Sequence, residues 1–127
     1  FPDRNVSGLE TNSASVIARL VYGEQSFLFT GDSPKSIEEY LATLDGGALE
    51  SAVLKAGHHG SKTSSSELFV GFTDPQYVVF SRGCDNSYGH PHPEVIETFR
   101  RFEVETLDTC KEGTVVFETD GTNLHKR

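Results

Sequence analysis

The hydrophobic and polar positions of this chain switch between the short period of β-strands and the longer period of α-helices. Residues 16–22 and 26–30 are rich in β-branched and aromatic side chains, and turn residues 23–25 lie between them. This arrangement predicts a β-hairpin. Further strands are predicted at four places: 52–54, 77–81, 104–107 and 114–117.

Three stretches between these strands have the apolar spacing of helices. The first helix is predicted to begin with Ser33 as its N-cap and Pro34 at its first position. The second begins at Ser64, which stands at capping-box spacing from Glu67, and the third begins at His92-Pro93. In the first helix, apolar residues recur at i, i+3, i+4 and i+7 and predict one buried face: Ile37, Tyr40, Leu41 and Leu44.

The predicted order of elements is ββ-α-β-α-β-α-ββ. Strands that alternate with helices of about ten residues predict an α/β fold, in which a sheet is flanked by helices. A length of 127 residues suits one compact domain. Folds of this class hold their sites in the loops beyond the strand ends, so candidate chemistry is expected there.

The first candidate is Asp32, in the motif Thr30-Gly31-Asp32 directly after the apolar residues 27–29. A carboxylate at that point lies at the rim of the sheet and is available to bind a metal. The alternative is that Asp32 caps the following helix or fixes a turn. The motif alone leaves both interpretations open.

Two histidines between glycines form the second candidate, Gly57-His58-His59-Gly60-Ser61, at the end of a predicted buried strand. Glycines let the backbone bend sharply and let a ligand approach. A neutral imidazole is the commonest protein ligand of zinc. A histidine pair in this setting indicates function rather than packing.

The third candidate is the motif Asn86-Ser87-Tyr88-Gly89-His90-Pro91-His92, which follows the predicted strand 77–81. We assign His90 to the site because it lies just past a strand end, as Asp32 and the histidine pair do. His92 is better explained as the residue that precedes a helix. We therefore expect Asp32, a member of the histidine pair and His90 to cluster at one edge of the sheet.

Composition narrows the chemistry of this cluster. Asp and His side chains without paired cysteines describe a hydrolytic metal site rather than a structural one. A carboxylate can bridge two metal ions that together activate water. The net charge of -8 argues against a broad basic face for nucleic acid, although a metal centre would supply local positive charge. The residues alone predict a metal-dependent α/β hydrolase.

The two cysteines, Cys84 and Cys110, are too few for a disulfide scaffold and lack a metal-binding spacing. We expect them to be free thiols. No run approaches the roughly 20 apolar residues of a membrane span, so we expect this piece to be soluble, while a parent protein can still be attached to a membrane. Composition leaves the compartment open, an extracytoplasmic one included.

Four ordered segments of the chain resemble the C-terminal half of the metallo-β-lactamase-like domain of ComEC/Rec2 competence proteins. These segments are residues 12–16, 27–32, 54–61 and 86–93. The resemblance covers nearly the whole chain, because residues 109–121 also fit. It implies that residues 1–127 form one half of an αββα sandwich, with a mixed sheet flanked by helices.

The resemblance implies hydrolysis of a phosphodiester at a centre of one or two metal ions. Zinc is the usual metal, with manganese as the alternative. In competence proteins the implied substrate is DNA, one strand of which is degraded during uptake, so the implied phosphodiester partner includes single-stranded DNA. Asp32 corresponds to a bridging aspartate and His59 to a metal ligand.

Further roles follow from the same resemblance. His58 is assigned to the substrate phosphate, and the reverse assignment within the His58-His59 pair stays open. His90 corresponds to a histidine that contacts the phosphate or protonates the leaving group. Ser61 and Asn12 are weaker candidates for orienting the substrate.

One part of the family's pattern is absent, the cluster His-x-[His/Asp]-x-Asp-His of the first half. The histidines of this chain all come late: His58, His59, His90, His92 and His125. We therefore expect the chain to be inactive or very weak alone and to need the N-terminal half of the same domain as a partner. Its exposed sheet face and edge would favour self-association.

Two other functions fit the same residues. The negative charge favours a small-substrate phosphodiesterase, similar to the phosphorylcholine esterases of cell-wall teichoic acid, over an enzyme that handles long DNA. A non-catalytic binding module with a decayed site is the alternative from another class. The presence of Asp32 and the three motif histidines argues against decay.

Overall fold

A computed structural model describes residues 7–127 of the chain. One mixed sheet contains five strands, which lie side by side in chain order: β1 (Ala18–Tyr22), β2 (Gln25–Phe29), β3 (Val53–Lys55), β4 (Tyr77–Phe80) and β5 (Glu105–Asp108). β1 and β2 pair antiparallel, as the predicted hairpin requires, and the remaining neighbours pair parallel. Gln25 belongs to β2 rather than to the turn.

Helices make the crossovers that parallel strands need. They are α1 (Lys35–Asp45), α2 (Glu67–Thr73) and α3 (Pro93–Arg101), while a short helix α4 (Thr109–Glu112) follows β5. The predicted α/β class, a mixed sheet flanked by helices, is thus confirmed. None of the helices within residues 7–127 combines the length and apolar character that a membrane span requires.

Two predicted helix starts were wrong by one or two residues. α1 has Pro34, not Ser33, at its N-cap position, and Pro34 gives it no side-chain cap bond. α2 is capped by Ser66, whose hydroxyl accepts a hydrogen bond from the Phe69 N–H, and not by Ser64. The Ser64 hydroxyl instead donates to the Ser33 carbonyl at 2.6 Å. The Ser64 hydroxyl is therefore used in a tertiary contact with Ser33 and not in the helix cap that local spacing predicted.

The buried face of α1 matches the predicted one in part, because Ile37 and Leu41 pack against the core. Its fully buried residues are Glu38 and Ala42, while Leu44 is 59% exposed. The physical reason is that the Glu38 carboxylate accepts hydrogen bonds from the backbone N–H groups of Ser65 and Ser66, both at 2.9 Å. These two bonds hold the Glu38 side chain buried beside the start of α2.

The main core lies on one side of the sheet. Inward-facing residues of the central strands, among them Leu28, Leu54 and Val78, form one cluster with Phe69 of α2 and Phe99 of α3. These side chains are at most 2% exposed. The helices therefore cover one face of the sheet.

The opposite face is only partly covered. A groove of about 810 Å³ runs along it, lined by residues that include Phe27, Phe29 and Val79. A second hairpin, β6 (Phe117–Thr119) with β7 (Leu124–Lys126), sends Phe117 against Phe27. The edge strand β1 is exposed along its whole length, with Leu20 58% exposed.

The end of the chain departs from prediction in its details. The last predicted strand, 114–117, is replaced by β6, which starts at Phe117, and β7 and α4 were not predicted. α4 begins because the Asp108 side chain accepts from the Cys110 N–H, a normal cap. The sequence signal was present, since Asp is a favoured N-cap residue.

The expectation of free thiols was wrong. Cys84 and Cys110 form a disulfide that joins the loop after β4 to α4. The two residues lie 26 positions apart in sequence, and this spacing by itself does not predict that they pair. The fold brings them together because β4 and β5 are parallel neighbours, so the segments that follow these strands leave the sheet side by side.

Candidate functional site

The parallel strands β2, β3 and β4 all end at the same edge of the sheet. Two loops at that edge carry the candidate histidines. We call residues 56–61, after β3, the glycine-histidine loop, and residues 81–92, after β4, the cysteine loop. Asp32 follows β2 at the same edge. Strand-end placement, the basis of the sequence prediction, thus holds for each of these residues.

The glycine-histidine loop has an unusual backbone. His58 and His59 both adopt left-handed conformations, with φ of 46° and 59°. Non-glycine residues seldom do so, and such strain concentrates at functional sites. A Cβ on Gly60, which has φ of +91°, would lie 2.6 Å from the Pro91 Cβ. A Cβ on Gly57 would lie 2.9 Å from Glu38 Oε1, so both glycines are required by their neighbours.

Asp32 and His59 face one another. Asp32 Oδ1 lies 3.5 Å from His59 Nε2, and the two side chains are 40% and 44% exposed. His59 Nδ1 lies 2.6 Å from the Ser81 carbonyl oxygen. A carbonyl can only accept, so Nδ1 donates to it and Nε2 is the ring nitrogen that faces Asp32. This orientation is the one that histidine ligands of metals adopt.

The Asp32 backbone is held in place from two sides. The Asp32 N–H donates to the Ser15 hydroxyl at 3.1 Å. The neighbouring Gly31 carbonyl accepts from the His58 N–H at 3.0 Å and from Lys55 Nζ at 3.1 Å. The Asp32 turn is therefore tied directly to the histidine pair.

His58 points toward the cysteine loop. Its ring centroid lies 5.6 Å from that of His90, and the His90 ring lies 5.0 Å from that of His92. Partial burial lowers the pKa of the His90 imidazole, and the three neighbouring imidazoles lower it further, while the Asp32 carboxylate raises it. A neutral imidazole in this position can hydrogen-bond to an oxygen of a substrate or accept a proton.

The weaker candidates, Asn12 and Ser61, lie at the same site. Both line a cavity of about 460 Å³ together with His58, His90 and His92. Asn12 is exposed, whereas Ser61 is only 5% exposed and its hydroxyl lies 2.9 Å from Thr63 Oγ1. Asn12 is thus the freer of the two to meet a ligand.

His92 precedes α3, as expected, but its side chain makes no cap bond to that helix. Its Nδ1 accepts from the Lys62 N–H at 3.2 Å. His92 therefore joins the two loops, a role that the sequence pattern did not indicate.

Sequence reasoning missed two polar residues near the site. Lys55 ends β3, and burial lowers the pKa of its amine while the Asp32 carboxylate opposes that change. Asn86 braces the cysteine loop through three hydrogen bonds, to the carbonyls of Gly83 and His90 and from the His90 N–H. The signal for Asn86 was available, since Asn side chains commonly bond to nearby backbone in turns.

The described residues fit part of a metal site. Asp32 and His59 are oxygen and nitrogen donors of the kinds that zinc takes. Within residues 7–127, no group of three His, Cys, Asp or Glu side chains is placed to hold a metal ion. Catalytic zinc takes about three protein ligands, so the residues from 7 to 127 would supply only part of such a set.

Comparison with known proteins gives the family context of this site. No protein-family model matches the chain. The chain is 39% identical over 109 residues to Competence protein ComA of Neisseria gonorrhoeae, a match that covers 86% of the chain and 16% of that protein. It is 33% identical over 106 residues to ComE operon protein 3 of Bacillus subtilis, covering 84% of the chain and 14% of that protein.

A third relative is Recombination protein 2 of Haemophilus influenzae, which is 34% identical over 111 residues, covering 87% of the chain and 14% of that protein. The chain therefore spans about a sixth or less of the length of these curated relatives. It is homologous to a short segment of competence proteins represented by ComA, ComE operon protein 3 and Recombination protein 2.

Proposed function

We propose that this chain is the C-terminal half of a metallo-β-lactamase-like domain whose site hydrolyses phosphodiester bonds of DNA during competence-related uptake. The observation that carries the proposal is the Asp32–His59 pair, 3.5 Å apart, with His59 Nδ1 committed to the Ser81 carbonyl. An isolated salt bridge would not need a histidine in a strained left-handed conformation. The names of the relatives connect the chain with competence.

The partner that completes the site is, in this proposal, the N-terminal half of the same domain. The groove beside Phe27, Phe29 and Val79 and the exposed strand β1 offer it an apolar face and an unpaired strand edge. Both would otherwise promote association between copies of the chain. The missing ligands would come from that half.

Zinc, or manganese in its place, would supply an activated water and stabilise charge on the phosphate. Asp32 and His59 would hold the metal from this side. His58 and His90 face the same cavity as Asn12, so they are placed to hydrogen-bond to phosphate oxygens or to transfer a proton to the leaving group.

The test uses the complete domain, by which we mean this chain joined to the proposed N-terminal half. Asp32→Ala and His59→Ala are each expected to lower bound metal and to cut turnover by about two orders of magnitude or more, because they remove ligands. His58→Ala and His90→Ala are expected to lower turnover while leaving metal content largely intact. Metal analysis and kinetics on a DNA oligonucleotide measure both properties.

His125→Ala is the matched control, since His125 is an exposed histidine in β7, outside the site. Loss of metal by His58→Ala with retention by His59→Ala would reverse the assignment within the pair. Full activity in all four site variants would refute the metal-hydrolase proposal and favour a binding module. The isolated chain with added zinc or manganese should turn over bis-p-nitrophenyl phosphate weakly or not at all.

A further inference from the structure

The cysteine loop presents an aromatic side chain to solvent directly beside the proposed site. Tyr88 is 76% exposed, although an exposed aromatic ring of this size has a large apolar surface to bury. Its ring stacks on the His90 ring, with centroids 5.6 Å apart and an interplanar angle of 24°. The stack leaves the other face of the phenol ring open.

Tyr88 stands between two cavities. One, of about 350 Å³, is lined by His59, Arg82 and Asn86, and the other, of about 460 Å³, is lined by His58 and Asn12. Tyr88 and His90 line both. A group stacked on Tyr88 would therefore lie next to the position that a phosphate takes between the proposed histidines.

The loop that carries Tyr88 is braced at both ends. Asn86 bonds to the backbone of Gly83 and His90, and Cys84 is tied to α4 through the disulfide. The Tyr88 ring itself takes no part in these restraints. A loop fixed in this way presents the ring beside the two cavities, so little backbone freedom is lost when a flat ligand binds.

We infer that Tyr88 and His90 form a stacking subsite for an unpaired nucleobase, next to the phosphate that the site would cleave. This inference rests on the proposed function and deepens it by naming the side chains that would contact a base of a single strand. In a duplex both faces of a base are covered by its neighbours, whereas a single strand can place a base on an aromatic ring.

The shape of the subsite favours a base over a cationic headgroup. A quaternary ammonium is normally enclosed by several aromatic faces. Here one phenol face is open, and the adjoining ring is the imidazole of His90, so no cage of several aromatic faces surrounds the subsite. A negative total charge of -8 also means that stacking, rather than a basic surface, must supply part of the affinity for a nucleic acid.

The experiment compares a short oligothymidylate with an abasic oligomer of the same length, which keeps the phosphates and sugars but has no bases. Both are labelled with fluorescein, and the complete domain is tested for binding by anisotropy and for cleavage. The wild type should prefer the oligothymidylate by roughly tenfold in Kd and in KM, the contribution of about one stacked base. Tyr88→Ala should abolish that preference, and Tyr88→Phe should keep it.

Ser87→Ala is the control for disturbance of the loop, because Ser87 is exposed and adjacent. If Tyr88→Ala keeps the wild-type ratio of Kd values for the two oligomers, the inference is overturned. That holds even if binding of both oligomers becomes weaker by the same factor. A selective loss with a choline phosphodiester instead would assign the subsite to a cationic headgroup. If the wild type cleaves neither oligomer, the proposed function fails, while the anisotropy ratio still decides the stacking subsite.

Discussion

The two loops that form the site are held in place by different means. The glycine-histidine loop has no spare room, since a Cβ on Gly57 or Gly60 would collide with Glu38 or Pro91. The cysteine loop has open space around Gly83 and Gly89, with no atom within 4 Å of a Cβ built on either. It is held by side-chain bonds and a disulfide instead.

This difference matches the tasks that we propose for the loops. Metal ligands must be placed within a fraction of an ångström, and a close-packed loop provides that precision because its neighbours cannot shift cheaply. A loop that contacts substrate needs two anchored ends and an accessible tip. If the glycine-histidine loop depends on close packing and the cysteine loop on bonds and a disulfide, changes of each kind should lower stability by different amounts.

The largest effect is expected from a single methyl group in the packed loop. Gly60→Ala places a Cβ 2.6 Å from the Pro91 Cβ and 2.8 Å from the Phe80 ring, at a φ of +91° that L residues rarely adopt. Strain and overpacking together should lower the free energy of unfolding by about 4 kcal/mol. Urea unfolding of the complete domain measures it. Gly83→Ala in the cysteine loop should change stability by no more than about 0.5 kcal/mol, and equal effects would contradict the comparison.

The next effect should come from the bridge in the cysteine loop. The disulfide closes a segment with a sequence separation of 26 residues, and the chain-entropy estimate for its removal is about 3.5 kcal/mol. Cys84→Ser combined with Cys110→Ser should lower the unfolding midpoint in urea accordingly. Adding a reductant should shift the wild type toward the double variant and leave the variant unchanged. An identical wild-type midpoint with and without reductant would mean that the bridge does not restrain the loop.

Glu38 should make the packed loop sensitive to pH. Burial raises the pKa of Glu38 from 4.5 to about 7, against the hydrogen bonds from Ser65 and Ser66, which lower it. Because the folded-state pKa is the higher one, the folded state binds the proton more tightly, and that stability is present at low pH and lost as pH rises through about 7. The free energy of unfolding should fall by about 2.5 kcal/mol between pH 5 and pH 8 from this group.

Glu38→Gln is the control for that titration, because it removes the ionisation while keeping the shape. The variant should lose the Glu38 contribution to the slope of stability against pH, whatever its stability at a single pH. A wild-type slope that persists in Glu38→Gln would show that another group titrates in this range.

The smallest effect is expected from the polar brace of the cysteine loop. Asn86→Ala removes the bonds to Gly83 and His90 and should cost about 1 to 2 kcal/mol of stability. Asn86→Asp keeps the acceptor for the His90 N–H but loses the donor, so its loss should be intermediate. Thermal unfolding ranks the three proteins. If Asn86→Ala lowered the free energy of unfolding as much as Gly60→Ala does, the two loops would not differ in how they are held in place.

The fold class was predictable because strands and helices leave periodic patterns that depend on local residues. The hairpin, the three longer helices and the strand ends that carry Asp32, His59 and His90 follow from such patterns. The assignment of His59 to metal and His58 to phosphate stays a prediction, which the orientation of the His59 ring supports. Helix caps were less predictable, as Ser64 illustrates, because several serines compete for one cap and neighbouring elements decide among them.

The sequence by itself determined which residues reach the edge of the sheet, because a residue that follows a strand must lie at the end of that strand. Only the tertiary structure decided which of them meet. The pairing of Cys84 with Cys110 and the bond from His59 to Ser81 depend on strands being neighbours in space. The burial of Glu38 depends on α1 lying beside the start of α2. These contacts join residues more than 20 positions apart, and no local pattern carries information about such distances.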